Sequence, residues 1–228
     1  MAENQIIPPK LDSEPHVEAP QHASTTHKPP HKSDNGHHDN WRSIVSTILV
    51  LLIAPIIAIL LTMFVFQSYQ VDGPSMQTTL HNNDRLIVWK LARSWAKITG
   101  HPYIPKRGDI VVFTDSKLGE FGQDPNKQLI KRVIGLPGDK VVVNNGVVTI
   151  YNAQNPNGFD PDKTLPYGNV IPTTGIDGTW TVGKNQIFVM GDNRGDSLDS
   201  RLFGPVDVNN IIGQLVVRVL PINTAKRF

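Results

Sequence analysis

Residues Lys140–Tyr151 read KVVVNNGVVTIY. Two runs of β-branched residues flank Asn145-Gly146, a pair suited to the positive φ angles of a tight two-residue turn. The stretch predicts an antiparallel hairpin, and it sets the pattern for the sequence on either side. Similar short runs recur as RLIVWK (85–90), DIVVFT (109–114), LIKRVIG (129–135), IFVM (187–190) and GQLVVRVL (213–220), punctuated by Gly, Pro, Asn and Asp. No strand pattern alternates regularly with a long helical one, which argues against a parallel α/β sheet. The fold class expected is mainly β: an antiparallel β-rich core spanning residues 67–228, preceded by one transmembrane helix. Within it the turn-rich stretch at about 152–185 is expected to form a small second lobe or excursion.

Composition narrows the function classes. The 228-residue chain is 39% hydrophobic with a formal net charge of +2, enough for one sizeable core and too little charge to argue for nucleic acid. It contains 18 Gly and 18 Pro, as turns between short strands require, and no Cys. Disulfides, thiolate catalysis and cysteine metal sites are therefore excluded.

Upstream of the core, IVSTILVLLIAPIIAILLTMFVF (44–66) holds 23 residues without a charge. A bilayer core takes about 20 apolar residues as helix, so the segment is long enough to span, and Pro55 is tolerable there as a kink. It is longer than the apolar run of a cleaved leader, and no small-x-small site follows it, so an uncleaved anchor is expected. Arg42 abuts its start, whereas the first basic residue beyond it is Arg85. That asymmetry favours a cytoplasmic N-terminus and an extracytoplasmic C-terminal domain. Residues 1–43 hold six of the eight histidines and many prolines, with few large apolar side chains. Such a stretch is expected to be a disordered tail. Its histidines are of a type that binds transition metals, but nothing fixes a ligand geometry, and no metal site is assigned.

Three stretches carry candidate chemistry. YQVDGPSMQTTL (69–80) places Ser75 just beyond the anchor, LIKRVIGLPGD (129–139) contains Lys131, and GDNRGDSLDSRLFGP (191–205) is a polar block between apolar flanks. A serine hydroxyl becomes a nucleophile only when a base removes its proton. His81 and His101 have no evident orienting neighbour. Lysine serves if it is neutral, which requires burial or nearby positive charge. Alternation puts Lys131 on one face with Leu129 and Val133, and Ile130, Arg132 and Ile134 on the other. Lys131 is thus either a partly buried base or a strand-edge lysine in solvent. In the third stretch Asp199 and Arg201 are suited to a bidentate pair. A loop knitted by ion pairs is the plain alternative and is compatible with a catalytic role. Calcium is the other reading of the acidic residues, but the EF-hand spacing is absent.

GPSM around Ser75, KRVIGLPGD from Lys131, GDNRGDSLDSR from Gly191 and RGDIVVF (107–113) follow one another behind a membrane span. In this order they resemble type I signal peptidases, and the single span resembles members from Gram-positive bacteria. The resemblance implies a Ser/Lys endopeptidase that removes signal peptides from exported preproteins, with a β-rich catalytic core and a smaller lobe. It implies Ser75 as nucleophile and Lys131 as general base, with Ser197 orienting the lysine amine. Asp199 and Arg201 would form the salt bridge that shapes the site, supported by Asp192 and Arg194. No cofactor is implied. The expected partners are signal peptides and the lipid bilayer, with secretion machinery a further candidate and no nucleic acid. One position departs from the pattern. Some members carry a hydroxyl two residues before the nucleophile, where this chain has Gly73. Val71, Met76, Leu80, Leu129 and Ile130 are candidate walls of shallow apolar pockets for the small residues of a signal peptide. Two rivals stand beside this reading: a self-cleaving repressor, which would carry a soluble N-terminal segment, and an inactive membrane-bound interaction module.

Overall fold

The computed structural model describes residues 36–165 and 169–228. Most of the expected tail therefore lies outside the described residues. A helix, α1, runs from Gly36 to Phe64 with Pro55 inside it. Within its Trp41–Phe64 part an 18-residue window has a mean hydropathy of 3.0 and no buried share. A helix that is apolar all round and faces no protein core is suited to lipid.

The remaining elements are strands and short helical turns. The strands are β1 (Phe66–Gln70), β2 (Arg85–Trp89), β3 (Ile110–Phe113), β4 (Leu129–Gly135), β5 (Lys140–Asn144), β6 (Val147–Tyr151), β7 (Gly178–Thr181), β8 (Gln186–Met190), β9 (Val206–Asp207), β10 (Ile211–Leu220) and β11 (Lys226–Arg227). The further helices are α2 (Leu91–Thr99), α3 (Pro161–Thr164) and α4 (Ser200–Phe203). One antiparallel sheet runs in the order β1-β2-β10-β3-β4-β8-β9, with β11 on β10, and a second runs β6-β5-β7. The mainly β, antiparallel expectation holds.

Alternation along the strands decides where the core lies. Val133 on β4 and Ile187 and Val189 on β8 join one buried cluster with Val111 and Phe113. The opposite face contributes Ile134, Phe188 and Met190 to a second cluster, against Val141, Val143, Val148 and Ile150 of the small sheet. A third cluster gathers Val71, Met76, Leu80, Leu86, Ile110 and Leu215.

Two boundaries differ from the sequence reading. The apolar run was taken through Phe66, but the helix ends at Phe64 and Phe66 opens β1. There Val65 O accepts from Lys90 N–H, and Phe66 pairs across the strands with Trp89. Hydropathy cannot register such a change of partner. The small sheet, likewise, takes only β7 from residues 152–185. Its other two strands are the 140–151 hairpin.

The hairpin turn has the predicted form, with φ of 47° at Asn145 and 77° at Gly146. A Cβ on Gly146 would lie 2.3 Å from Thr173 O. Both the backbone and the space therefore require glycine. Gly146→Ala is expected to lower folding stability by about 1–3 kcal/mol, read as a fall in the urea midpoint at unchanged m-value.

Candidate active site

Ser75 lies in the turn between β1 and β2, where Gln77 N–H donates to Pro74 O. Met76 and Leu80 point inward from that turn and are fully buried, while Ser75 is half-buried and reaches a cavity of about 360 Å³. Lys131 enters the same cavity from β4, where it pairs in register with Val111 of β3. Its Nζ and the Ser75 Oγ are hydrogen-bonded at 2.7 Å. An ammonium donates in this contact, whereas a neutral amine accepts the hydroxyl proton. Burial is the main influence on the amine and brings its pKa down to about 8, helped by the positive charges of Lys127 and Arg201 and opposed by Asp199 and Asp192.

The 191–205 block closes around this pair. Asp199 is fully buried and binds Arg201 through two oxygens, each at 2.8 Å from a guanidinium nitrogen. It also accepts from the backbone N–H groups of Gly191 and Arg201. Asp192 faces the other way. It accepts from Arg132 at 2.8 and 2.6 Å and from Thr79 Oγ1 at 2.5 Å, which links β4 to the turn that carries Ser75. Arg194 donates through both terminal nitrogens to Asp162 and through Nε to Gly191 O. The Ser75 carbonyl accepts from Asn193 N–H at 3.0 Å.

The family model described as "Signal peptidase, peptidase S26" matches residues 44–220. The chain belongs to this family. It is 37% identical over 182 residues to "Probable signal peptidase I-1" of Synechocystis sp., covering 79% of this chain and 85% of the relative. It is 32% identical over 187 residues to "Signal peptidase I" of Bacillus licheniformis, covering 81% and 93%. The solved structure of a signal peptidase I from Enterococcus faecalis V583 is 27% identical, matching 49% of this chain and 97% of its own with a TM-score of 0.36. The S26 assignment accordingly rests on the sequence matches.

Within this S26 chain the expected residues separate into groups. Ser75, Lys131, Val71, Leu129 and Ile130 meet at one cavity, joined by Leu86 and Leu198, which the sequence reading missed. Met76 and Leu80 do not line it. They anchor the Ser75 turn in the core, in the buried cluster with Val71, Leu86 and Ile110. Ser197 Oγ is buried without a hydrogen-bond partner, so the expected contact with the lysine amine is not made. Arg132 and Arg194 engage Asp192 and Asp162. The positive charges that lower the amine's pKa are those of Lys127 and Arg201. His81 and His101 are exposed and do not line the cavity. At Gly73 the backbone has a φ of +102° and its N–H donates to Asn82 Oδ1, so that amide is already engaged.

A position unremarked in the sequence ties the site together. A Cβ on Gly191 would lie 2.3 Å from Ser197 Oγ and 2.5 Å from Ser75 O. Glycine here lets three chain segments touch. Gly191→Ala must push the nucleophile's turn outward by a fraction of an ångström or more. Misplacement on the 1 Å scale costs on the order of 100-fold. The expected outcome is a fall in kcat of about that size with the fold retained, read by steady-state kinetics beside circular dichroism. Asp199→Ala strands a buried guanidinium and is expected to lose about 3–5 kcal/mol of stability. Thermal unfolding checks this, and an unchanged midpoint contradicts it.

Proposed function

We propose that this chain is a membrane-anchored Ser/Lys endopeptidase that cleaves N-terminal signal peptides from exported preproteins. The observation that carries the reading is the 2.7 Å contact between Ser75 Oγ and a buried lysine amine whose pKa lies near 8. In the neutral form Lys131 takes the hydroxyl proton as Ser75 Oγ attacks the scissile carbonyl. The resulting ammonium returns that proton to the leaving amine, and the acyl-enzyme is then hydrolysed by water activated by the same lysine. Ser75 N–H is the candidate donor to the oxyanion, since Pro74 has no amide hydrogen.

The cavity favours the same class of substrate. Its apolar walls, Val71, Leu86, Leu129 and Ile130, flank the nucleophile. A signal peptide bound as an extended strand turns alternate small residues toward one face, which suits shallow pockets of this kind. With α1 in the bilayer and Arg42 on the cytoplasmic side, Ser75 follows Phe66 by nine residues on the opposite side. Preproteins emerge there, which makes secretion machinery a candidate partner. Of the two rivals, a self-cleaving repressor has no use for the apolar helix, and an inactive module has no need of a desolvated lysine against a serine.

Purified full-length protein with a preprotein substrate tests the reading. Ser75→Ala is expected to abolish cleavage. Lys131→Arg keeps the charge but cannot accept a proton, and is expected to be nearly inactive. At pH 8 an ordinary lysine is neutral to only about 0.4%, whereas one with a pKa near 8 is about half neutral. Because the neutral amine is the active form, kcat/KM should rise with pH through an apparent pKa near 8 and level off above it. Near-normal turnover by Lys131→Arg would make Lys131 a structural cation and remove the proposal.

A further inference from the structure

The short helix α2, LARSWAKIT, has its amphipathic stripe on the unexpected side. Leu91, Trp95 and Ile98 recur at the i, i+4, i+7 spacing that normally faces a core. Here Trp95 is 64% exposed and Ile98 78%, and Leu91 is exposed as well. The helix instead turns Ala92 and Ala96 toward the protein, where they line clefts with Tyr103. An apolar stripe turned outward loses the main energy that holds a surface helix, so something other than this chain's core is the natural partner of that stripe.

The position of α2 identifies that partner. Lys90 N–H, at the start of the helix, donates to Val65 O, and Ser94 Oγ donates to Phe64 O, the last residue of α1. Beside this junction Phe66 and Trp89 stack edge to face, with centroids 5.2 Å apart and planes at 89°, and both are partly exposed. From Lys90 to His101 the sequence holds Lys90, Arg93 and Lys97 and no acidic residue. An amphipathic helix with tryptophan and aliphatic residues on one side and no acidic residue along it suits the headgroup boundary of a bilayer. Tryptophan favours that depth because its ring is apolar and its N–H polar.

We infer that α2 is an interfacial helix. Its Leu91–Trp95–Ile98 stripe, together with the Phe66–Trp89 pair, embeds in the membrane surface where α1 emerges. The inference rests on the proposed anchoring of α1. The consequence is a second attachment of the catalytic domain, which fixes the domain's orientation on the membrane and not merely its tether length.

The absence of cysteine makes the test direct. Full-length Leu52→Cys, Ile98→Cys and Asn144→Cys variants are each labelled with an environment-sensitive fluorophore. They are reconstituted into vesicles of phosphatidylethanolamine and phosphatidylglycerol containing nitroxide-labelled lipid. The labels at 52 and 98 should be quenched by the lipid nitroxide, and the label at 144, on the exposed end of β5, should not. Quenching at 52 with none at 98 overturns the interfacial helix and leaves the anchor intact. No quenching at 52 overturns the anchor and the inference with it. A label at 98 that is shielded only at high protein-to-lipid ratio, and never quenched, assigns the stripe to a second copy of the chain. As a functional arm, Trp95→Ser/Ile98→Ser should slow processing of a vesicle-inserted preprotein severalfold while leaving cleavage of a detergent-dispersed peptide unchanged. An equal effect on both substrates contradicts a role at the membrane.

Discussion

A buried lysine amine hydrogen-bonded to a serine hydroxyl is the contact around which this structure is arranged. Water would keep the amine charged, so the proposed chemistry needs water withheld from Lys131 while Ser75 stays open to the cavity. Strand β4 meets the first need, because it lies inside the sheet between β3 and β8 and carries Lys131 on a face otherwise occupied by Leu129 and Val133. The turn after β1 meets the second, because it lifts Ser75 to the cavity while Met76 and Leu80 fasten it from beneath.

The polar block from Gly191 to Arg201 solves an electrostatic difficulty that this arrangement creates. A lone Asp199 carboxylate near Lys131 would favour the ammonium and undo the effect of burial. Arg201 grips both carboxylate oxygens, and its own positive charge acts on the amine in the opposite sense. Arg201 thus offsets part of the pull of Asp199, which remains the strongest charge acting on the amine, while the pair stays firm enough to hold the loop. That loop binds the nucleophile's backbone through Asn193 and makes room for it at Gly191. Asp192 serves the same end from the other side, coupling Arg132 on β4 to Thr79 in the turn. Ser75 and Lys131 lie 56 residues apart in sequence and are held to one geometry by these cross-links.

At the other end of the molecule the constraint is placement. The chain passes from α1 into β1 with one intervening residue, and α2 is hydrogen-bonded to that junction. On the proposed anchoring of α1, so short an exit leaves little slack between α1 and the turn that carries Ser75.

By itself the sequence determined the class of fold and pointed to the serine and lysine that the structure brings together. Seven strands were legible because β-branched runs between turn residues carry their own signal, and Asn145-Gly146 specified a hairpin by local backbone preference alone. Motif order paired Ser75 with Lys131 and Asp199 with Arg201, and the structure brings each pair into contact. The polar strand β1, FQSYQ, was not legible, since it gains its identity from pairing with β2. Nor was the small sheet's extent, which depends on β7 pairing with β5, more than thirty residues earlier in the chain. Pocket membership was decided only in three dimensions. Val71 and Met76 are equally apolar and flank the same serine, yet one lines the cavity and the other is buried beneath the turn. The same is true of charge: Arg132 adjoins Lys131 in sequence but points to the opposite face, while Arg201, seventy residues away, acts on the amine. Local pattern follows from each residue's own preferences, whereas contacts between distant segments exist only once the sheet has closed.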